Sequence, residues 1–288
     1  MFGSVILEVV LGLILVYLLL GLICTAVNEL LAQALRLRAK TLAEGIGNIL
    51  NDPKTKGLAK FFYEHPLIQA FYRKGDRPSY IPSQAFAITV IDLITTDHST
   101  ELGQLQEGIK GLGNERVRHV LQLFVNRAGG KIENVQASLE QWFNDSVERI
   151  SGWYKRRIQW ITLAVACAAA GFSNADTLAI AKQLAHNSVL RAAIVAQAES
   201  MPKQSTATDS LTAKTSANFE QLKSAGLEIG WERGMPSGFW PWVRKISGLL
   251  MTALAASLGA PFWFDMLNKV VRLRSSVAAR APEEKAKS

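Results

Sequence analysis

The chain has 288 residues and a net charge of +8, and 49% of its residues are hydrophobic. Its positive mean hydropathy argues against an ordinary soluble protein, and its length allows one large domain or two modest ones. The basic charge comes with no base-reading or RNA-binding motif, which excludes nucleic acid from the expected partners. The apolar residues gather in three blocks, 5–27, 158–172 and 246–264, which are candidate membrane spans.

The first block predicts a transmembrane helix within residues 1–35. Glu8 is its only ionisable residue, and three basic residues follow the block, namely Arg36, Arg38 and Lys40. Because basic flanking residues stay in the cytoplasm, this order predicts an N-terminus outside the membrane. A cleaved signal peptide ending near Ala32-Gln33-Ala34 is the alternative, but such peptides carry their positive charge before the apolar core.

Residues 36–157 predict a helical cytoplasmic domain of five or six helices. Turn signals at Asn51-Asp52-Pro53 and Gly129-Gly130 divide the segment into helical stretches. The stretch from Ser83 to Thr95 is nearly apolar on all sides but too short to span a membrane, so we expect it to be the central helix of the core. About 120 residues are enough for such a domain to bury its own core.

The domain is expected to end in one long helix, from Glu133 to Phe172. Its first half is amphipathic with a helical period, and its second half belongs to the second predicted span, residues 158–175. A collar of aromatic and basic residues lies between the two halves, at the expected cytoplasmic face of the membrane: Trp153, Tyr154, Lys155, Arg156 and Arg157.

Residues 176–243 predict an extracytoplasmic segment. A helix-start signal, with Ser173 as the cap, precedes an amphipathic helix that we expect to lie on the outer surface up to about residue 199. A flexible loop rich in Ser and Thr follows. The glycine- and proline-rich stretch after the loop carries Trp240 and Trp242, which suit the membrane interface.

The third predicted span covers residues 244–266. Small residues along it allow a neighbouring helix to approach closely, namely Ala253, Ser257 and Gly259. Pro261 is expected to kink or end the helix, and Trp263 to mark the opposite interface. Residues 267–288 predict a basic cytoplasmic tail that is disordered after Arg274.

Ionisable residues inside the predicted spans need partners, because an unpaired charge in lipid is costly. Glu8 is expected to reach water or to pair with Arg244 or Lys245, which lie at the same predicted depth. The alternative is that Glu8 is a carboxylate on a proton or ion pathway. A second group of polar residues lies at the inner face, where Asn28 and Glu29 could meet Asn268 and Lys269 and lock helices together. Asp265 and Lys269 are one helical turn apart and could pair within their own helix.

No catalytic, cofactor or metal site is predicted. Asp92, Asp97 and His98 come nearest to a metal-ligand cluster, but their spacing matches no standard site. The chain has no phosphate-binding glycine loop, nucleophile elbow or dinucleotide fingerprint. Its two cysteines, Cys24 and Cys167, fall in apolar blocks and are expected to be packing residues. We therefore expect a protein that is not an enzyme.

Three sequence blocks together resemble a family of bacterial integral membrane proteins to which no chemistry is assigned. They are a first span ending in Asn28-Glu29-Leu30, the block SGWYKRR at 151–157 and the block SLGAPFWFDMLNK at 257–269. The resemblance implies a multi-pass protein of the bacterial inner membrane and gives no mechanism.

These observations predict an all-α membrane protein with about three transmembrane helices and a helical cytoplasmic domain. The expected function is that of a scaffold or subunit of an oligomeric membrane assembly. Its expected partners are the lipid bilayer, further copies of the chain and a cytoplasmic protein. The alternative is an ion or proton channel or transporter subunit with a pathway between protomers, because three spans are few for a monomeric transporter.

Overall fold

The computed structural model describes residues 2–71, 76–95, 101–204, 218, 220–231 and 234–285, and these residues contain helices and no strand. The helices are α1 (Phe2–Ala34), α2 (Leu37–Ile49), α3 (Leu58–Glu64), α4 (Pro66–Gln69), α5 (Ser83–Ile94), α6 (Leu102–Gly111), α7 (Glu115–Arg127), α8 (Ile132–Ser173), α9 (Thr177–His186), α10 (Ser188–Gln204), α11 (Phe239–Ser257) and α12 (Ala260–Lys285). The all-helical prediction is confirmed.

The chain forms two compact units. Unit 1 comprises Met1–Leu31 and Ile158–Ser288, and unit 2 comprises Ala32–Arg157. Both unit boundaries fall within helices, one near the end of α1 and the other inside α8. The cytoplasmic domain expected from the sequence, residues 36–157, has nearly the same limits as unit 2.

Unit 2 is built around an aromatic core. Phe86 of α5 is fully buried, and its ring stacks on Phe143 of α8 at a centroid distance of 4.3 Å. The ring of Phe62 of α3 also packs against Phe86, at a centroid distance of 5.4 Å. The apolar stretch Ser83–Thr95 is thus the central helix α5, whose small residues Ala85 and Ala87 let neighbouring helices pack close to it.

Polar side chains define the breaks between the helices of unit 2. Asn114 caps α7 by accepting the Val117 N–H at 3.3 Å, and its amide donates to the Leu50 carbonyl at 2.8 Å. The Asn114 side chain therefore supplies hydrogen bonds to a free carbonyl at the end of α2 and to a free N–H at the start of α7. The turn predicted at Asn51-Asp52-Pro53 lies between α2 and α3, with Asn51 in the left-handed region at φ 49°.

Unit 1 is organised around α1, whose residues between Leu11 and Cys24 are mostly buried. The last part of α8 and then α9 run antiparallel to it. Asn28 near the end of α1 donates to the Thr162 hydroxyl at 2.9 Å, and Gly12 near its start faces Leu184 of α9. The helix with the strongest membrane-spanning sequence is thus the core of its own unit.

Helix α12 also runs antiparallel to α1. Gly21 lies against the Ala260 backbone at the start of α12, where a Cβ on the glycine would be 3.0 Å from the Ala260 nitrogen. Farther along, Arg274 of α12 reaches Glu8 at 3.6 Å. The segment predicted to be disordered after Arg274 continues as helix up to Lys285. Leu267 and Val270, in the earlier part of the predicted basic tail, belong to the buried core.

By length and composition, one helix of the described chain, over Val5–Ala34, can cross a membrane, and up to three spans result if each bent helix pair is one span. The bent pairs are α8 with α9, at 49°, and α11 with α12, at 94°. The third predicted span is therefore divided. Gly259 at φ +85° makes the break, and Pro261 falls in the first turn of α12, where its missing N–H costs nothing.

The amphipathic helix expected over residues 177–199 is also divided, into α9 and α10. Asn187 separates them, and its side chain accepts the Leu190 N–H at 3.0 Å. The cap of α9 is Asp176, which accepts the N–H groups of Leu178 and Ala179. Ser173, predicted as the cap, lies within α8 and donates to the Ala169 carbonyl. The predicted flexible loop falls largely on 205–217, outside the described residues.

Candidate functional site

A charged cluster lies at the N-terminal end of α1. Glu8 accepts from Arg191 of α10 at 3.0 Å and lies 3.6 Å from Arg274 of α12, and Arg274 also pairs with Glu199. Two carboxylates and two guanidinium groups balance each other in a half-buried setting. The sequence placed Glu8 beside Arg244 or Lys245, because it could not show that α10 and α12 come back to this end of α1.

Arg191 ties the cluster to the end of α9. Its side chain is only 13% exposed, and it donates to the backbone carbonyls of Leu184 and Ala185 as well as to Glu8. A cation at a helix C-terminus satisfies free carbonyl groups and interacts favourably with the helix dipole. The cluster therefore joins α1, α9, α10 and α12, which fits a locking role for Glu8.

A row of hydroxyl groups crosses the middle of unit 1. The Tyr17 hydroxyl lies 2.9 Å from the Thr177 hydroxyl, which lies 2.8 Å from the Thr252 hydroxyl. Thr252 also accepts the Thr177 N–H at 3.1 Å and donates to the Gly248 carbonyl. The row connects α1, α9 and α11 through buried polar atoms that are all paired.

The cap of α9 carries a buried ion pair. The Asp176 side chain is 7% exposed, and its second oxygen is 3.5 Å from the Lys245 ammonium. Lys245 in turn lies over the Trp231 ring, 5.7 Å from its centroid. Gly248 makes room for this pair, since a Cβ there would overlap an Asp176 carboxylate oxygen. Lys245 thus pairs with Asp176, the cap of α9, whereas the sequence suggested a pair with Glu8.

A cleft of about 700 Å³ opens beside this ion pair. Its walls come from the start of α9, the glycine-rich segment around residues 226–234 and the start of α11. Gln183, Arg244 and Lys245 are among the lining residues. The charged groups in it have mixed signs, so the cleft has no strong preference for one ligand charge.

The polar residues predicted at the inner face are not joined as expected. Asn28 bonds to Thr162, where the sequence suggested Asn268. Glu29, Asp265 and Lys269 are exposed and form no ion pair with any described residue. The predicted pair of Asp265 and Lys269 within one helix is therefore not formed.

The aromatic and basic collar of unit 2 is largely exposed. Arg38 lies over the Tyr154 ring at 5.7 Å, and Arg157 pairs with Glu44 at 3.3 Å. Trp153, Lys155 and Arg156 are exposed or half-buried.

The tryptophans expected at the membrane interface of unit 1 have different settings. Trp240 is 77% exposed, and Trp242 is half-buried. Trp263 is different again, because its indole packs on Tyr17 at 4.7 Å and donates to the Ala255 carbonyl.

Of the small residues predicted to allow a close helix approach in the third span, Gly259 lies in such a contact with α1. Ala253 is buried in the core, and Ser257 is half-buried. The backbones approach closely where Gly21 on α1 meets Gly259 and Ala260. The sequence indicated a small-residue contact at this place but gave no sign that Gly21 was the partner.

The other side of α11 is an exposed apolar surface, which we call the outer face. It consists of Phe239, Trp240, Val243, Ile246, Leu250, Met251, Leu254 and Leu258. These residues recur at helical spacing and are between 38% and 77% exposed. The sequence contained this signal, but the general apolarity of the predicted span concealed which side was covered.

No group of three His, Cys, Asp or Glu side chains suited to a metal is present among the residues that the structure describes. Asp97 and His98 lie outside those residues. Asp92 accepts from His65, whose Nε2 is 2.9 Å away, while the His65 Nδ1 accepts the Leu67 N–H. His65 is therefore a helix cap held by Asp92, with its ring proton on Nε2.

Comparisons with protein-family models, with curated proteins and with solved structures found no match to this chain.

Proposed function

We propose that this chain is a non-enzymatic integral membrane protein that acts as a scaffold or subunit of an oligomeric assembly, with unit 2 recruiting a protein partner in the cytoplasm. The observation that carries the proposal is the outer face of α11. A chain dissolved in water rarely exposes so many large apolar side chains along one helix. Lipid or another subunit must therefore cover this face.

The position of α1 supports the same proposal. Its apolar stretch is mostly buried, so the surface that unit 1 offers to lipid comes from the surrounding helices. The outer face of α11 and the exposed Trp160 and Phe172 of α8 supply such a surface. The bacterial inner membrane is the location that the sequence resemblance implies.

Unit 2 offers a groove suited to a protein partner. The groove has a volume of about 370 Å³, and it is lined by apolar side chains that include Trp142, Ile150 and Trp153. Arg116 and Arg149 stand at the same groove. Aromatic and arginine side chains are the types that dominate protein interfaces, so we propose this groove as the recruiting surface.

The structure also supports a topology that differs from the sequence expectation. Because Glu8 and Arg274 are in contact, we place both on the same side of the membrane. In that arrangement, α11 and α12 enter and leave from one side, like a re-entrant pair, and do not form a third span. The sequence expectation put the first of these residues outside and the second in the cytoplasm.

Cysteine labelling tests this topology. In a Cys167→Ala background, Ile6→Cys introduces an exposed cysteine near Glu8, and Leu273→Cys introduces one next to Arg274. We expect a membrane-impermeant maleimide to label both variants from the same side of sealed vesicles, and Leu35→Cys from the opposite side. Labelling of Ile6→Cys and Leu273→Cys from opposite sides would restore the three-span arrangement.

Membrane extraction and cross-linking test the scaffold proposal. The chain should stay in the pellet after an alkaline carbonate wash, and cross-linking in native membranes should give a defined oligomer with a second protein. Trp153→Ala should lose the second protein while Leu123→Ala, an exposed residue outside the groove, should keep it. A carbonate-soluble or strictly monomeric chain without a partner would defeat the proposal.

The channel alternative is favoured by the broken helix pair of α11 and α12, because transporters place ion sites at such breaks. Against it stands the pairing of Glu8 with two arginines, which leaves that carboxylate in a fixed network. Purified chain in liposomes decides between the two, since a channel must give ion flux and Glu8→Gln must change it.

A further inference from the structure

We propose that a pocket of unit 2, which we call the hydroxyl pocket, binds a phosphate monoester with an apolar body. The pocket lies between α2, the segment 79–81 and α8, and its volume of about 390 Å³ falls within the range of small-molecule sites. Of the residues that line it, only Ile150 also lines the groove assigned to a protein partner. The proposal therefore concerns a second site and does not depend on the scaffold function.

Two cations without an ion pair to any described residue line the hydroxyl pocket. They are Arg38 of α2 and Lys155 of α8, and both side chains are exposed. No acidic side chain is among the described residues that line the pocket. Glu44, farther along α2, is paired with Arg157 at 3.3 Å. The pocket thus carries two positive charges, which match the charge of about −1.5 to −2 on a phosphate monoester at neutral pH.

The Arg38 guanidinium is held at the pocket by an aromatic ring. Its central carbon lies 5.7 Å from the ring centroid of Tyr154, which also lines the pocket. The ring covers one face of the planar group and leaves the N–H groups at its edge free to donate. A guanidinium group can form two parallel hydrogen bonds with a phosphate, whereas the Lys155 ammonium acts as a point charge. Arg38 is therefore the expected main contact of the phosphate.

Five hydroxyl groups line the same pocket, and none of them donates a hydrogen bond to a described residue: Thr41, Ser79, Tyr80, Ser151 and Tyr154. Thr41 is the most informative of them, because it is only 2% exposed. Its oxygen accepts from Arg157 at 3.4 Å, so its proton has no acceptor among the residues that the structure describes. Buried donors are normally paired, and a phosphate oxygen supplies the acceptor that this hydroxyl lacks.

The buried part of the lining is apolar. Leu42, Ile81 and Ile150 line the pocket and are at most 7% exposed. Inorganic phosphate would use the cations and leave these side chains without contacts. A neutral apolar compound would cover them and leave Arg38 and Lys155 without a counter-charge. A phosphate monoester with an apolar body serves both parts of the pocket.

Isothermal titration calorimetry of the full chain in phosphatidylcholine nanodiscs tests the site, with empty nanodiscs as the reference. The probe is 1-naphthyl phosphate, and inorganic phosphate and 1-naphthol each carry one half of its chemistry. We expect one saturable site for 1-naphthyl phosphate. Each of the two fragments should bind at least about tenfold more weakly, because charge-assisted hydrogen bonds and burial of an aromatic body each contribute a factor of this size.

Variants show whether the probe occupies the hydroxyl pocket. Arg38→Gln should weaken its binding about tenfold, and Arg38→Lys should weaken it less, because the charge remains. Thr41→Val keeps the shape of the side chain and removes the hydroxyl group, which should weaken binding about fivefold. The control is Arg116→Gln. Arg116 is an exposed cation of the partner groove without an ion pair to any described residue, so this change should leave probe binding unchanged.

A soluble ester and the headgroup of phosphatidic acid both present a phosphate monoester, and nanodiscs that contain phosphatidic acid distinguish these sources. Nanodiscs with phosphatidylglycerol, a diester, are the control for bilayer charge. Loss of probe binding with phosphatidic acid alone would identify the lipid headgroup as the ligand. Unchanged probe binding in both would identify a soluble ester. Either result supports the site.

Four outcomes would overturn the proposal. Inorganic phosphate that binds as tightly as the probe would mean a simple anion site, and 1-naphthol that does so would mean a merely apolar pocket. Equal losses in Arg38→Gln and Arg116→Gln would mean a general charge effect. Absence of saturable probe binding at millimolar concentration would remove the site itself. None of these outcomes bears on the scaffold function, which the carbonate wash and Trp153→Ala test separately.

Discussion

Unit 1 and unit 2 differ in where their large apolar side chains lie. Unit 2 places an aromatic cluster inside, around Phe86, and its surface is mainly polar. Unit 1 buries α1, a row of hydroxyl groups and the Asp176 ion pair, while the large apolar residues of α11 face outward. The two units are both helical, but their surfaces differ in the large apolar side chains that they expose.

The difference shows which feature of a helix indicates a membrane. The most apolar helix, α1, is a core helix, and the apolar helix α5 is a core helix of unit 2. Apolarity alone therefore does not separate lipid contact from burial. The outer face of α11 differs from both helices, because its apolar residues are exposed after folding.

Phe86→Ala should produce the largest loss of stability, and it should do so in unit 2. Removing a fully buried ring leaves a cavity beside Phe62 and Phe143, which costs about 3–5 kcal/mol of unfolding free energy. Hydrogen exchange of the full chain in detergent would show the loss in the amides of unit 2. The control Phe172→Ala in unit 1, where the ring is 88% exposed, should change stability by less than about 0.5 kcal/mol. Similar losses in both variants would mean that the ring of Phe172 is covered.

Gly248→Ala tests the polar interior of unit 1. The new methyl group would overlap the Asp176 carboxylate, so the cap of α9 and its pair with Lys245 must shift. Overpacking of this kind costs about 1–3 kcal/mol. Thermal unfolding in detergent would measure the loss. Gly171→Ala, whose Cβ would meet no atom within 4 Å, should instead be neutral or slightly stabilising.

Glu8→Gln tests the charged cluster at the end of α1. The change leaves Arg191 and Arg274 as neighbouring cations without their carboxylate, and because the cluster is partly exposed we expect a loss of about 1–2 kcal/mol. Thermal unfolding would measure it, and a cycle with Arg274→Gln would isolate the pair. The control is Glu29→Gln, because Glu29 is exposed and forms no ion pair within the part of the chain that the structure describes. A stability loss as small as that of the control would show that Glu8 does not hold these helices together.

Asp52 gives the smallest effect, and it depends on pH. Partial burial opposes its ionisation, but backbone N–H groups of Lys56, Gly57 and Ala59 outweigh this and lower the pKa of Asp52. Asp52→Ala should lose about 1 kcal/mol at neutral pH, because these donors lose their acceptor.

The difference in stability between the wild type and Asp52→Ala should decrease at low pH. A lowered folded-state pKa gives stabilisation that is complete above the unfolded-state pKa and lost as the pH falls through the folded-state value. Urea titrations of the wild type and Asp52→Ala should therefore differ at pH 7, begin to converge near pH 4, and converge further as the pH falls toward the lowered folded-state pKa of Asp52. A constant difference over this range would show that the carboxylate charge is not involved.

Local sequence signals accounted for much of the helical structure. The long helix expected over Glu133 to Phe172 is α8, and the apolar stretch beginning at Ser83 is α5. Caps were harder to predict, because Ser173 and Asp176 are both good capping residues and the choice depends on where α8 ends. The ion pairs were not predictable, since Glu8 lies far from Arg191 and Arg274 in the sequence.

The sequence by itself determined the helical class, the apolar blocks and most helix limits, because these follow from composition, periodicity and turn residues within short windows. Only the tertiary structure decided that α1 is buried, that α12 returns along it to bring Arg274 to Glu8, and that α11 turns an apolar face outward. The physical reason is that burial and pairing depend on which helices meet, and helices with similar apolar patterns can meet in several ways.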